Sequence, residues 1–230
     1  MQYEIINTGG SPAFEDSHAL LTQGQAKAST LVIVGNQAGL AFRQLSQPQR
    51  YTLILIELGL ECLGTHTGES RGQEGSQILG FSRFRLGEAP STNLVELVRQ
   101  PQSVESAILT AKALLEAKGL QVSVCADFAG RILNRLIRPY YNGALTRLDE
   151  GLASADDLDM TLKLGLGYPE GPITLLERTG LQHHFKATQA LFEAYGQSAY
   201  APARRARVAY ERAQFASLSA SEGPPKKGQS

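Results

Sequence analysis

Histidine is the side chain best suited to proton transfer near neutral pH, and this sequence has 4 of them. One, His66, lies in the polar stretch Gly64-Thr-His-Thr-Gly68, directly after a strongly apolar run. Loops that follow parallel strands are where ligands bind in α/β proteins. His66 is therefore a candidate site residue, and a solvated turn is the alternative that the residues alone leave open.

The other nitrogen and sulfur side chains do not fall into a metal-binding pattern. His183 and His184 are adjacent, His18 is remote from both in sequence, and no H-x-x-x-H pair occurs. The cysteines, Cys62 and Cys125, are too few for a four-thiolate zinc site or a disulfide framework. We therefore expect no metal site and two reduced thiols, as is usual in a cytoplasmic protein.

A glycine-rich loop after a strand could hold the pyrophosphate of a dinucleotide, because backbone N–H groups can then approach it closely. The fingerprint G-x-G-x-x-G does not occur in the chain. The nearest stretch, Gly35-Asn-Gln-Ala-Gly39, has its glycines at a different spacing, and Gly9-Gly10 is followed by Ser11-Pro12, which is typical of a turn. An ordinary strand-to-helix turn is the favoured interpretation of the first stretch.

Composition narrows the classes of function further. The chain has 230 residues, of which 42% are hydrophobic and 19% are charged, as in folded soluble proteins. Its 22 basic and 22 acidic residues give a formal net charge of zero, which argues against a nucleic-acid partner. No apolar run reaches the roughly 18 residues of a membrane span, and the first residues lack the pattern of a signal peptide. We expect a cytoplasmic protein with no membrane partner.

The chain divides into two parts with different sequence patterns, and these parts must position the residues described above. Residues 1–126 alternate short apolar runs with Gly-rich turns, and an amphipathic stretch between Val98 and Val122 predicts a helix that joins two strands. Apolar runs without strict alternation are typical of strands buried on both faces, as in a parallel sheet. We expect a truncated Rossmann-like α/β domain with a mostly parallel sheet. Its predicted strands are Tyr3–Ile6, Leu31–Val34, Leu53–Leu58, Ile78–Phe81, Leu94–Val98 and Val122–Cys125.

Residues 127–216 have a helical pattern instead. Apolar residues recur every four positions between Ile132 and Leu148, Ser154 opens a variant of the capping box, and Pro172 suits the first turn of a further helix. We expect an all-α domain over this range. Residues 217–230 are rich in Ser, Gly, Pro and Lys, which predicts a disordered tail.

Three segments of the helical part carry a family resemblance. Gly130-Arg-Ile-Leu-Asn-Arg-Leu-Ile-Arg-Pro-Tyr140 resembles the G-F-x-x-N-R-L/I-x-x-P-Y segment of 3-hydroxyacyl-CoA dehydrogenases. The stretches Glu150-Gly-Leu-Ala-Ser-Ala-Asp-Asp-Leu-Asp159 and Lys163-Leu-Gly-Leu-Gly-Tyr-Pro-Glu-Gly-Pro172 resemble two further motifs of that family, in the same order and spacing. The resemblance implies a Rossmann domain followed by a helical dimerisation domain, with the substrate between them.

The resemblance also implies a reaction and its participants. The family oxidises 3-hydroxyacyl-CoA with NAD in fatty-acid metabolism: a hydride passes to the cofactor while a base takes the hydroxyl proton. From the resemblance we expect NAD as the cofactor, an acyl-CoA ligand and a homodimer formed through the helical domain.

Candidate catalytic residues follow from the same resemblance. Asn93-Leu-Val-Glu-Leu-Val98 is similar to the family strand whose glutamate orients a catalytic histidine, which gives Glu96 that role. Asn134 matches the asparagine that polarises the substrate. Ser82 stands where the histidine is expected, and a serine cannot accept a proton at neutral pH as a histidine can. His66 is the candidate for a displaced base.

Three interpretations of function stay open. The amino-terminal part is shorter than the family's Rossmann domain and lacks its fingerprint, so the first is a family member with impaired dehydrogenase chemistry. The second is a non-catalytic relative that binds acyl-CoA or a nucleotide, or acts as a dimeric scaffold. The third is a different enzyme on the same scaffold, with His66, Glu96 and Asn134 in new roles. Convergence of His66, Glu96 and Asn134 on one cleft favours an enzyme, whereas a Glu96 carboxylate held in a structural ion pair favours the second interpretation. Asn134 could also merely bond a neighbouring loop.

Overall fold

A computed structural model describes residues 1–69 and 76–221 of the chain, which divides into two compact units. The first unit comprises Met1–Arg85 and Ala89–Arg135, and the second comprises Leu86–Glu88 and Leu136–Ser230. The expected boundary between residues 126 and 127 lies inside the first unit. Of the tail expected at residues 217–230, residues 217–221 form the end of the helix Arg204–Ser221, and residues 222–230 lie outside the described part of the chain.

The first unit is built on a six-stranded sheet with the strand order β1-β2-β3-β4-β5-β6. The first four strands are parallel, β5 is antiparallel to β4, and β6 is parallel to β5. All six predicted strands are confirmed, and so is the mostly parallel α/β class. The observed strands are Glu4–Asn7, Thr30–Val34, Leu53–Glu57, Ile78–Arg83, Leu94–Arg99 and Gln121–Ala126.

Helices cover both faces of this sheet. Every residue of β2 and β3 is buried, which accounts for their uninterrupted apolar sequences. Helices α1 (Ala19–Thr22) and α4 (Glu105–Glu116) contribute to the apolar core on one face, and α2 (Ala38–Arg43) contributes to the core on the other. Helix α3 (Gly64–Thr67) contacts α2. The predicted helix between β5 and β6 is therefore confirmed as α4.

The antiparallel pairing of β4 and β5 is the feature of the sheet that matters most for the site. The link between Arg83 and Leu94 is too short for a crossover helix, which takes a dozen residues or more, so the chain must reverse direction there. The resulting register places Ser82 directly opposite Glu96.

The described part of the second unit is helical, as predicted. Ser154 Oγ accepts a hydrogen bond from the Asp157 N–H at 3.1 Å, which confirms the predicted helix cap, and Pro172 is the first residue of its helix. None of the helices in the described residues is long and apolar enough to cross a membrane. Helix α5 begins in the first unit, and the helices are α5 (Arg131–Asp149), α6 (Ala155–Leu166), α7 (Pro172–Thr179), α8 (Leu181–Tyr195) and α9 (Arg204–Ser221).

Candidate functional site

The antiparallel pairing of β4 and β5 brings a serine and a glutamate together as a cross-strand pair. Ser82 and Glu96 are partners in the antiparallel register. Side chains of directly opposed residues lie on the same face of the sheet, about 5 Å apart at their Cβ atoms. A histidine at position 82 would therefore meet the Glu96 carboxylate across the strands, as the family resemblance implies. The serine there offers a hydroxyl instead of an imidazole.

The Glu96 carboxylate is bound to the start of helix α5. One of its oxygens, Oε1, accepts hydrogen bonds from the backbone N–H groups of Ile132 and Leu133 at 2.9 and 2.8 Å. These N–H groups belong to the first turn of the helix, where no intrahelical acceptor exists for them. A carboxylate at this end is also favoured by the helix dipole. Glu96, which is only 2% exposed, thus acts as the N-terminal cap of α5.

The second partner of Glu96 is a buried arginine. Arg131 Nε lies 3.6 Å from Glu96 Oε2, and both side chains are excluded from water. Arg131 also donates hydrogen bonds to the backbone carbonyls of Gly59 and Glu61. Burial lowers the pKa of Arg131, and the Glu96 charge opposes that effect. The pair therefore ties β5, the loop after β3 and the start of α5 into one charged cluster inside the first unit.

His66 has a different set of neighbours. Its Nδ1 lies 2.8 Å from Arg43 Nη1 and its Nε2 lies 3.2 Å from Glu61 Oε1. A guanidinium can only donate, so Nδ1 is the acceptor, and the proton is on Nε2, where it can be donated to Glu61. The ring packs directly on Gly39 of helix α2, and its side chain is 11% exposed. The lone pair that a base needs is therefore already committed to Arg43.

Asn134 is buried at the end of the first turn of α5, directly after the two residues whose N–H groups bind the Glu96 carboxylate. It belongs to the same unit as Ser82 and Glu96. Its role as a substrate-polarising residue stays a prediction, as do the roles of Glu96 and His66. The structure gives Glu96 and His66 separate partners, and the link between their neighbourhoods runs through the contacts of Arg131 and Glu61.

The sheet gives little support for a dinucleotide at its edge. Dinucleotides bind where the strand order reverses, at a crevice between neighbouring crossovers that leave in opposite directions. Within the described residues the strand order rises from β1 to β6 without a reversal. Helix α1, after β1, has only four residues and starts at Ala19, well beyond Gly9-Gly10, and its first turn is capped by the His18 side chain. The residues present at this edge therefore do not fit NAD.

Glu57 is a notable residue that the sequence patterns did not single out. It ends β3, and its two carboxylate oxygens accept hydrogen bonds from Ser11 and from the Gly35 N–H. Burial holds the pKa of Glu57 above its usual value, although the hydrogen bonds from Gly35 and Ser11 oppose that effect. A charged residue that directly ends an otherwise apolar strand was the available signal, because strand ends at the carboxyl edge are where polar side chains gather.

Comparisons with known proteins agree on one family. Residues 130–221 match the family model described as 3-hydroxyacyl-CoA dehydrogenase, C-terminal domain. The 3-hydroxybutyryl-CoA dehydrogenase of Bradyrhizobium diazoefficiens is 32% identical over 117 residues, which are 51% of this chain and 40% of that protein. A probable 3-hydroxybutyryl-CoA dehydrogenase of Deinococcus radiodurans is 30% identical over 165 residues, which are 70% of this chain and 57% of that protein.

A solved structure supports the fold over a longer range. The crystal structure of (S)-3-hydroxybutyryl-CoA dehydrogenase from Ralstonia eutropha has a TM-score of 0.66 to this chain at 22% identity, covering 81% of this chain and 66% of that one. The similarity thus extends well beyond the helical segment that the family model matches. The chain spans about two fifths of the length of the first curated relatives that it matches.

Proposed function

This chain belongs to the 3-hydroxyacyl-CoA dehydrogenase family, and on that premise we propose that it is a member with impaired NAD-linked oxidation of 3-hydroxyacyl-CoA. The family reaction needs a base that takes the proton of the 3-hydroxyl group. Loss of a general base alone typically lowers the rate by about 10²–10⁴-fold.

The observation that carries this proposal is the pair formed by Ser82 and Glu96. The register puts Ser82 opposite Glu96, where a histidine would be oriented by the carboxylate. The Glu96 carboxylate instead caps α5 and pairs with Arg131, so it has a complete structural role without any histidine. His66 does not supply the missing base in this arrangement, because its Nδ1 already accepts a hydrogen bond from Arg43.

A second candidate function, a non-catalytic acyl-CoA-binding or dimeric scaffold relative, draws support from the buried Glu96–Arg131 ion pair and from the surface of the helical unit. Helix α6 exposes three large apolar side chains, those of Met160, Leu164 and Leu166. Beside it, a cavity of about 530 Å³ is lined largely by apolar groups of α5 and α6. The Tyr140 hydroxyl at this cavity is buried without a hydrogen-bond partner in the described residues, and burial raises its pKa to about 12.

An apolar surface of this kind is costly to leave in water and suits either a second copy of the chain or an acyl chain. We favour a homodimer through the helical unit, as the resemblance implies, with an acyl-CoA as a further ligand. We also propose a cytoplasmic location, which the free thiols of Cys62 and Cys125 support.

Turnover of acetoacetyl-CoA with NADH tests the main proposal. We expect the wild type to be slower than an ordinary enzyme by at least ~10²-fold, below roughly 0.1 per second. The variant Ser82→Ala should match the wild type, since the hydroxyl is not expected to take part in catalysis. Turnover at ordinary rates that disappears in Glu96→Gln, while Glu96→Gln remains folded, would contradict the proposal.

A further inference from the structure

The carboxylate of Glu57 lies where the carboxyl ends of β1, β2 and β3 come together. Oε1 accepts a hydrogen bond from Ser11 Oγ at 2.8 Å, in the segment after β1, and Oε2 accepts one from the Gly35 N–H at 2.7 Å, directly after β2. A hydroxyl and a glycine N–H at neighbouring strand ends are typical donors to a bound phosphate in α/β proteins. Here both donors bind a side chain of the protein itself, and Glu57 is only 4% exposed.

The neighbouring backbone donors are committed as well. The Asn36 N–H donates to the Gly9 carbonyl at 3.0 Å, and the Gln37 N–H donates to Thr8 Oγ1 at 3.2 Å. Gly35 adopts a positive φ of 105° and packs so tightly on Thr8 and Gly9 that a Cβ atom would collide with both. The segments after β1 and β2 are therefore joined to each other, with no gap between them for a pyrophosphate.

Electrostatic repulsion disfavours a bound phosphate here as well. A phosphate placed at these donors would come within a few ångströms of a buried carboxylate, and like charges repel strongly where water is excluded. The carboxylate, in contrast, is satisfied by the two donors at no cost in repulsion. The donors at this edge of the sheet therefore have their acceptor without a ligand.

We propose that Glu57 is an internal anion that takes the place of a cofactor phosphate at this edge of the sheet, so that the chain does not bind NAD there. The inference rests on the proposed function only for the identity of the excluded cofactor. It does not depend on the serine at position 82, and it makes Glu57 a specificity-determining residue.

Chemical rescue tests the role of the carboxylate directly. At pH 8, Glu57→Ala should lower the Tm of the full chain by roughly 5–10 °C, because the buried Gly35 N–H and the half-buried Ser11 hydroxyl lose their acceptor. Formate at ~0.1 M should restore ~3 °C or more by filling the vacated anion position, while the wild-type Tm stays constant. Leu55→Ala is the matched control, since it opens a cavity in the same strand without freeing donors, and formate should not stabilise it.

Glu57→Gln keeps the test decisive if the alanine variant does not fold. This variant fills the same space without the charge, so it should melt below the wild type and show no response to formate. A Glu57→Ala variant that formate leaves unchanged, or a Glu57→Gln variant as stable as the wild type, would overturn the role of the internal anion.

Equilibrium binding tests the consequence for the cofactor. We expect no saturable change in NADH fluorescence with the wild type up to ~1 mM NADH, and saturable binding would overturn the exclusion of NAD. Formate rescue is measured without NADH or acyl-CoA, so its outcome is independent of the turnover assay. If only the missing base limits activity, Ser82→His would raise turnover. If the cofactor edge is closed, Ser82→His would remain as inactive as the wild type.

Discussion

Acid should destabilise the helical unit through one buried histidine. His184 is 1% exposed, its Nδ1 lies 3.0 Å from Arg138 Nη1, and its Nε2 lies 2.9 Å from Asn142 Oδ1. Arg138 can only donate, so His184 is neutral, accepts at Nδ1 and carries its proton on Nε2. Asn142 in turn donates to the carbonyls of Ala199 and Ala201, which fixes its orientation. A second proton would make the His184 ring positively charged, and that charge would be repelled by the adjacent Arg138 guanidinium.

The size of the effect follows from the shift in affinity for the proton. Burial, and then the charge of Arg138, lower the pKa of His184 from 6.5 to about 3. The unfolded chain therefore binds the proton more tightly than the folded chain, so stability falls as the pH drops from about 6.5 towards 3. Each pH unit in this window costs about 1.4 kcal/mol, so at pH 4 the loss is about 3 kcal/mol, equivalent to roughly 6–12 °C in Tm.

Thermal unfolding at pH 7 and pH 4 measures this loss. His184→Gln, which cannot titrate, should lose less Tm between the two pH values than the wild type by roughly the amount above. His183→Gln is the matched control, because His183 is adjacent in sequence but its side chain is 38% exposed and pairs with Glu88. A wild type and a His184→Gln variant with the same acid-induced loss would refute the reasoning, as would a ring NMR signal of His184 that titrates near pH 6 in the folded protein.

The cap of helix α5 and the apolar face of α6 give two further predictions. Glu96→Ala should lower the free energy of unfolding by about 3–5 kcal/mol in urea, because it leaves the buried Arg131 charge without its carboxylate partner and two N–H groups without an acceptor. Glu96→Gln should lose less, because its amide oxygen can still accept from the two N–H groups. A change below about 1 kcal/mol for Glu96→Ala would show that the cap contributes little. Leu164→Glu should convert the dimer to a monomer in a sedimentation experiment, since Leu164 is 81% exposed on the α6 face. A dimer that survives this substitution would place the interface elsewhere.

The strands of the first unit were predictable because their apolar runs are long enough to dominate local sequence. Whether neighbouring strands are parallel or antiparallel was harder to predict, since a strand buried on both faces has the same apolar pattern in either direction. The reversal between β4 and β5 did have a signal, namely a link too short for a crossover helix. Helices α1 to α3, with 4 to 6 residues each, are too short for a helical period to show in sequence.

The candidate site was less predictable because its contacts join distant parts of the chain. Glu57 meets Ser11 across 46 residues, and Glu96 meets the start of α5 across 36. Neither separation leaves a periodic pattern or a fixed spacing that sequence reasoning could use. The resemblance did identify Glu96, but only the register and the hydrogen bonds reveal which groups its carboxylate binds.

Glu96 shows why a matching motif is weak support for activity. A buried carboxylate that caps a helix and balances a buried arginine is needed for folding, so its loss is costly whether or not any reaction takes place. The same residue would appear in an active and in an inactive protein. Ser82 is more informative, because a half-buried position with no side-chain hydrogen bond in the described residues is free of such a structural demand. The residue at position 82 therefore reports on the chemistry, while the residue at position 96 reports on the fold.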